Sequence, residues 1–257
     1  MLELKEISKI YNPGSVNEMC LFDKFNLTVK EEEFVSVVGS NGSGKTSLLN
    51  IICGNIPVEG GKIVIDGDDI TNKKDFRRYQ RIGRVYQNPA LGTCPGMTIL
   101  ENMSLADNKG SAYNLTRGCN KDKKDIYADS LKQLGLGLED KMQTKVGSLS
   151  GGQRQALALL MSTMTSIDFL ILDEHTAALD PKTAEIIMML TDKIVKSKKL
   201  TTIMVTHNLR YAVEYGNRLI MMHEGKSVFD RSGEEKKQTD IEEIMGLFNK
   251  ISIECGN

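Results

Sequence analysis

Over roughly the first seventy positions the apolar residues come in short, alternating stretches. LELKEIS at the start, a stretch ending in NLTVK, FVSVV at 34–38 and KIVID closed by Asp66 and Gly67 all read as strands, together an antiparallel patch that leads into something different. FVSVV differs from its neighbours because it is almost continuously apolar, and it runs through glycines into TSLLNIICG, whose apolar spacing is helical. A strand, a glycine-rich loop and a helix in that order open an α/β unit. FLILD at 169–173 and TTIMVT at 201–206 read as fully buried parallel strands. Between them PKTAEIIMMLTDKIVKSKK begins with a proline at a first helical position and ends in lysines, which predicts a helix. The stretch 88–165 lacks β-branched runs and is expected to be helical, with helices near 122–134 and after Gly152. Near the end, Ile241, Ile244, Met245, Leu247, Phe248 and Ile251 form one helical stripe, expected to pack on its own domain.

Composition narrows the function. A chain of 257 residues can bury one large core or two modest ones. Its 33 Lys and Arg balance 34 Asp and Glu, so no bulk field favours nucleic acid or an anionic membrane. The low aromatic content, with no Trp, argues likewise against a base-stacking surface. The longest apolar runs, ALALLM at 156–161 and IIMML at 186–190, fall well short of the roughly 18 residues of a membrane span. MLELKEISK does not resemble a secretory signal, so a cytoplasmic location is expected. Cys20, Cys53, Cys94, Cys119 and Cys255 are scattered, without metal-ligand spacing, and read as reduced, mostly packing residues.

The chemistry starts at GSNGSGKT, residues 39–46, which fits G-x-x-x-x-G-K-[ST] between a buried strand and a helix. Gly39, Gly42 and Gly44 let backbone N–H groups wrap phosphate oxygens, and Ser40, Asn41, Ser43 and the following Ser47 complete the candidate cradle. Lys45 supplies a point charge to the outer phosphates, and the Thr46 hydroxyl is a candidate Mg²⁺ ligand. Such a loop serves kinases, GTPases, recombinases and transport ATPases alike.

Ligands of an open parallel sheet bind at the carboxyl ends of its strands. One predicted strand ends in Asp173 and Glu174, an acid to hold Mg²⁺ followed by one to activate water. Another ends in His207, which can bond a γ-phosphate or steady the base. His175 lies beside the acid pair, and His223 sits in a predicted hairpin turn. Lys121, Lys123 and Lys124 alternate with acids and read as a solvated helix face without a partner.

At LSGGQRQALALLM, residues 149–161, the chain resembles the ATP-binding-cassette family. The resemblance covers the whole chain: residues 39–46 look like the family's Walker A, FLILDE like Walker B, AALD ending in Asp180 like the D-loop, Gln87 like the Q-loop glutamine and His207 like the switch histidine. Tyr11 lies where the family places an aromatic that stacks on adenine. The fold so implied is α/β, a P-loop NTPase with a RecA-like parallel-sheet core, an N-terminal antiparallel β subdomain and an inserted helical subdomain. Its core would be 1–87 and 166–257, and its helical signature subdomain 88–165.

The resemblance also implies ATP and Mg²⁺ as ligands, with Glu174, His207 and Gln87 catalytic and Thr46, Gln87 and Asp173 at the metal. It implies a homodimer closed by ATP, in which Ser150, Gly151, Gly152, Gln153 and Asp180 serve the nucleotide of the opposing copy. Integral membrane permease subunits, a Gln87 region that receives the permease, an extracytoplasmic substrate-binding protein and a place on the inner face of the membrane follow as expectations. NPALGTCPGMTILENMSLA, LDEHTAALDPKTA and GNRLIMMHEGKSVFDRSGEEKK look more closely like the ATPase subunits of bacterial importers of tryptophan, tyrosine or related solutes. The alternative is a soluble single-cassette ATPase for assembly or scaffolding of the iron–sulfur cluster type. The chain departs from the family pattern at His175, where most cassettes have Pro, and at Ala177, where a Ser hydroxyl is usual.

Overall fold

The computed structural model describes residues 1–111 and 118–254, with side chains through residue 250; Cys255 and the side chain of Ile251 lie outside the described residues. The chain divides into two compact units, Met1–Tyr79 with Lys199–Asn257, and Gln80–Lys198.

In the first unit β1 (Leu2–Tyr11), β2 (Met19–Val29), β4 (Gly60–Ile65) and β5 (Asp68–Asp69) form the expected antiparallel sheet, ordered β2-β1-β4-β5. The alternation of buried Leu2 and Leu4 with more exposed neighbours fixes its register. Asp66 and Gly67, with φ of 50° and 80°, make the tight β4–β5 turn that two left-handed positions favour. β3 (Phe34–Gly39) is buried at every residue and runs parallel to β8 (Thr201–Val205) and β9 (Arg218–His223) on its two sides. That environment explains its unbroken apolar character. β10 (Lys226–Ser232) returns antiparallel to β9 through Glu224 and Gly225, the hairpin expected at His223.

Helix α1 (Lys45–Cys53) follows β3 and buries Leu48, Leu49, Ile51 and Ile52. Its last carbonyls are held by the buried guanidinium of Arg78, which ends the short α2 (Asp75–Arg78) and donates to Ile51 O at 2.8 Å and Ile52 O at 3.1 Å. α7 (Leu209–Glu214), α8 (Gly233–Gln238) and α9 (Ile241–Glu254) complete the unit. Ile244 of α9 is fully buried against Val38, Ala212, Leu219 and Met221, with Leu247 and Phe248 half-buried beside it, so the stripe packs on its own unit. Met245 departs from the expected stripe and is half exposed.

In the second unit β6 (Ile82–Val85) pairs in parallel with β7 (Phe169–Asp173). Around them stand α3 (Ile99–Asp107), α4 (Lys124–Lys132), α5 (Gly151–Ser162) and α6 (Pro181–Lys198), with Ile99, Met103, Tyr127, Leu131, Leu157 and Ile187 in their shared core. α3 is not among the helices expected from the apolar pattern. A capping box between Thr98 and Glu101 starts it. Lys121, Lys123 and Lys124 are exposed as expected, and Lys123 Nζ lies 2.6 Å from Asp107 of the same unit.

Candidate functional site

The first unit carries the phosphate loop. At Gly39, where β3 leaves the sheet, an added Cβ would lie 2.2 Å from the Met222 carbonyl oxygen, so only glycine fits. Beyond it the chain curls around Lys45, whose Nζ donates to Gly39 O at 2.7 Å, Ser40 O at 2.8 Å and Ser43 Oγ at 3.3 Å. The ammonium is therefore centred under the loop and almost wholly buried. Gly44, with φ of 102°, stands at the N-cap of α1 and brings no side-chain cap. The first-turn N–H groups and the positive end of the helix dipole thus face an open position suited to an anion. Gly225 N donates to Ser43 O at 3.0 Å and ties the loop to the β9–β10 turn.

Thr46 is exposed at that helix end, and its hydroxyl makes no hydrogen bond among the described residues. Ser47 Oγ accepts from the Tyr11 hydroxyl at 3.0 Å, which sets the Tyr11 ring beside the first turn of α1. His207 follows β8, the parallel neighbour of β3, and is exposed at the same carboxyl edge as the loop. Asn208, next to it, caps α7 by accepting from Tyr211 N at 3.2 Å, and so fixes where the chain turns.

The second unit carries the acids and the signature helix. Asp173 ends β7, and its Oδ2 accepts from Arg84 Nη2 of β6 at 2.7 Å. Arg84 is buried and packs 4.7 Å above the Tyr86 ring. Glu174 has a φ of 47°, a left-handed conformation that costs a non-glycine residue energy, and Ala177 N donates to its carbonyl at 2.9 Å. His175 turns inward and is buried, with Nε2 3.1 Å from Thr191 Oγ1 of α6. Since Thr191 donates its proton to Ile187 O at 2.8 Å, it accepts from His175. Burial lowers the His175 pKa to about 4, so the ring is neutral.

Gln87 lies exposed two residues beyond β6, at the same end of the parallel β6–β7 pair as Asp173 and Glu174. The preceding Tyr86 carbonyl accepts from Gln155 Nε2 of α5 at 3.1 Å, a link that couples the Gln87 segment to the signature helix. At the head of that helix Ser150 accepts from Gln153 N at 3.2 Å while Gln153 Oε1 accepts from Ser150 N at 3.3 Å. Gln153 Nε2 also donates to Leu136 O at 3.2 Å, so both ends of its amide are engaged within the unit. Gly151 is exposed, whereas Gly152 is buried against Thr183. Asp180 caps α6 by accepting from Thr183 N at 3.0 Å, and hydrogen bonds from the Thr183 side chain and backbone lower its pKa.

Each unit thus gathers its own share of the residues expected from the sequence. Arg84 and Gln155 were not among them. Gln155 stands inside the LSGGQRQ run, where its buried polar side chain on an otherwise apolar helix face is a readable signal; Arg84 has none beyond its place in a buried strand.

The donor set also suits a divalent cation. Among the described residues no group of three or more His, Cys, Asp or Glu could hold a metal by itself. An exposed hydroxyl beside a phosphate cradle instead fits Mg²⁺, which takes few protein ligands and completes its shell with water and phosphate oxygens.

A buried strand, a glycine loop closed on its lysine and an uncapped helix end define a P-loop nucleoside triphosphatase. Residues 22–177 match the ABC transporter family. Over 250 residues the chain is 48% identical to a tyrosine transport ATP-binding protein of Clostridioides difficile (strain R20291), covering 96% of this chain and 98% of that protein. It is 28% identical to the phosphonates import ATP-binding protein PhnC of Lactococcus lactis subsp. cremoris (strain SK11), covering 95% and 98%. Its fold matches the dimeric post-hydrolysis structure of the ATP-binding cassette MJ0796 bound to ADP and Pi, with a TM-score of 0.76 and 30% identity over 90% of this chain and 98% of that one. The chain belongs to the ABC transporter family and is an ATP-binding, ATP-hydrolysing transporter subunit. The alternative of a soluble assembly ATPase is not favoured.

Proposed function

We propose that this subunit powers import of a small solute, such as an aromatic amino acid, by driving a separate membrane permease through the ATP-dependent closing of two cassettes. The likeness to the tyrosine transport ATP-binding protein, sustained over nearly the full length of both chains, supports the solute class. The observation that carries the ATP chemistry is the open, uncapped N-terminus of α1 above a lysine already folded into the loop.

In this reading the amides of residues 39–47 and Lys45 take the phosphates, and Tyr11 packs on adenine. Thr46, Asp173 and Gln87 would hold Mg²⁺, which when bound neutralises phosphate charge. Glu174 takes a proton from the attacking water, and His207 orients that water and the outer phosphate. Ser150, Gly151, Gly152, Gln153 and Asp180 serve the nucleotide of the second copy, with the helix end behind Ser150 aimed at its γ-phosphate. Residues 1–87 and 166–257 act as the nucleotide-binding core and 88–165 as the helical signature subdomain.

Among the described residues no helix is long and apolar enough to cross a membrane. The permease therefore supplies the membrane path, and this subunit works on its cytoplasmic face, with a substrate-binding protein delivering cargo on the other. The test is Glu174→Gln. The variant is expected to bind ATP, to lose nearly all turnover and to accumulate as a closed dimer in ATP; normal turnover refutes the role of Glu174. Co-purification of the wild-type protein with a multi-span permease from gently solubilised membranes tests the transporter assignment, and recovery with cytosolic partners alone overturns it.

A further inference from the structure

The unit Gln80–Lys198 contains a cavity of about 290 Å³, and none of its described lining residues belongs to the proposed nucleotide site. It opens between α4 and the C-terminal ends of α5 and α6. Its floor is apolar, formed by Tyr127, Leu134, Leu160, Met164, Leu190 and Ile194. The charged groups around it are unbalanced: Lys123, Lys193 and Lys198 stand against Asp107.

Asp107, the one carboxylate among the described lining residues, is already committed. Asp107 accepts from Lys123 Nζ at 2.6 Å and from the Tyr127 hydroxyl at 2.8 Å. Lys193 makes no hydrogen bond or ion pair among the described residues, and Lys198 Nζ donates to the carbonyl of Thr163, a neutral acceptor. Burial lowers the Lys198 pKa, as expected of an ammonium with no carboxylate beside it. Two lysines without acidic partners therefore stand beside a cavity whose apolar residues are joined by the neutral polar Ser130, Gln133, Thr163 and Ser197.

We propose that this cavity is a binding site for a small monocarboxylate with an apolar aryl or alkyl body. The volume lies at the small end of the range of ligand pockets, about 300–1,000 Å³, which fits one ring or a medium chain and excludes a membrane lipid. An amino-acid zwitterion fits poorly, because its ammonium would meet lysines and an aspartate that is already paired. A carboxylate bridging Lys193 and Lys198 halves the excess positive charge, and the floor takes the apolar body. The cavity lies at the far ends of the two helices whose N-termini carry Ser150 and Asp180, so a ligand there does not compete for the phosphate loop.

The probes are 3-phenylpropanoate and octanoate, titrated by calorimetry into the full chain, with 3-phenylpropanamide as the neutral control. One site per chain is expected, unaffected by saturating ATP, with the amide binding at least about tenfold more weakly. Lys193→Gln/Lys198→Gln should cost about tenfold in carboxylate affinity while leaving ATP affinity unchanged. Ile194→Trp, which fills the floor, should abolish binding in a protein that still unfolds cooperatively and binds ATP. If that variant fails to fold, the double lysine variant decides. Absence of saturable binding by both carboxylates at millimolar concentration, equal binding of the amide, or binding indifferent to the lysine changes overturns the proposal.

Discussion

A Cβ added at Gly152, in the first turn of α5, would lie 2.2 Å from Cγ2 of Thr183 in the first turn of α6. The same addition at Gly151 meets nothing nearer than Leu179 Cδ2 at 3.4 Å, an ordinary contact. The two signature glycines thus differ: one leaves an open amide, and the other lets two helix starts touch. Gly152→Ala is expected to destabilise the protein by about 1–2 kcal/mol, the cost of modest overpacking against a side chain that can partly turn away. Gly151→Ala should unfold with the wild type. Thr183→Ser removes the clashing methyl, so adding it to Gly152→Ala should recover most of the loss in urea unfolding. A double variant no more stable than Gly152→Ala alone would show that the two residues do not conflict.

The elements most legible in the sequence were those whose environment is uniform. FLILD and TTIMVT are apolar throughout because β7 and β8 are buried on both faces, and the proline and lysines bounding α6 mark its two ends. α3 escaped because nine residues with a polar Glu101, Asn102 and Ser104 dilute the apolar spacing, although the Thr98–Glu101 box that starts it was readable. The phosphate loop, the acid pair and the histidine were each visible as local patterns at strand ends. Pairs joined across dozens of residues were not. Arg84 with Asp173, or Gln155 with the Tyr86 carbonyl, exist because tertiary packing brings two elements together, and no local spacing encodes them.

Arg84 and Asp173 form an ion pair whose side chains are 4% and 15% exposed. A pair so enclosed contributes little net stability, yet removing one partner strands the other charge. Arg84→Met should therefore lower stability by about 2–3 kcal/mol, and Asp173→Asn should lower it as well, by leaving the buried guanidinium without its carboxylate. Thermal unfolding without nucleotide is the discriminating measurement, since it excludes any contribution from metal or ATP. Unchanged melting of Asp173→Asn under those conditions would mean that the carboxylate has no part in holding the fold.

His175 predicts a pH dependence with a definite sign. Its pKa is about 4 in the fold and about 6.5 in an unfolded chain, so between these values the unfolded state binds the extra proton. The stability associated with the neutral ring is complete above pH 6.5 and falls as the pH drops toward 4, by about 3 kcal/mol. His175→Gln can still donate to Thr191 but does not titrate. The difference between wild-type and variant unfolding free energies should shrink or reverse on acidification through this window, and a difference that stays constant from pH 7 to pH 4 would contradict a buried neutral imidazole.

The hydrogen bond from the Tyr11 hydroxyl to Ser47 Oγ separates two contributions that a truncation would confuse. The ring is proposed to stack on adenine, and the hydroxyl anchors that ring to the helix end of the phosphate loop. Tyr11→Phe removes the anchor and keeps the stack, and Ser47→Ala removes the same anchor from its other end. Each is expected to weaken ATP binding by no more than a few-fold, in line with about 0.5–1.5 kcal/mol for one neutral hydrogen bond. The two combined should be no worse than either alone, because they delete one interaction. Tyr11→Ala loses the ring as well and should weaken binding by about tenfold or more, since stacking on an aromatic is worth about 1–3 kcal/mol per base. Equilibrium titration with a fluorescent ATP analogue, in protein carrying Glu174→Gln to prevent turnover, measures all four. If Tyr11→Ala binds as tightly as Tyr11→Phe, the ring does not carry the adenine, and Tyr11 serves the loop through its hydroxyl alone.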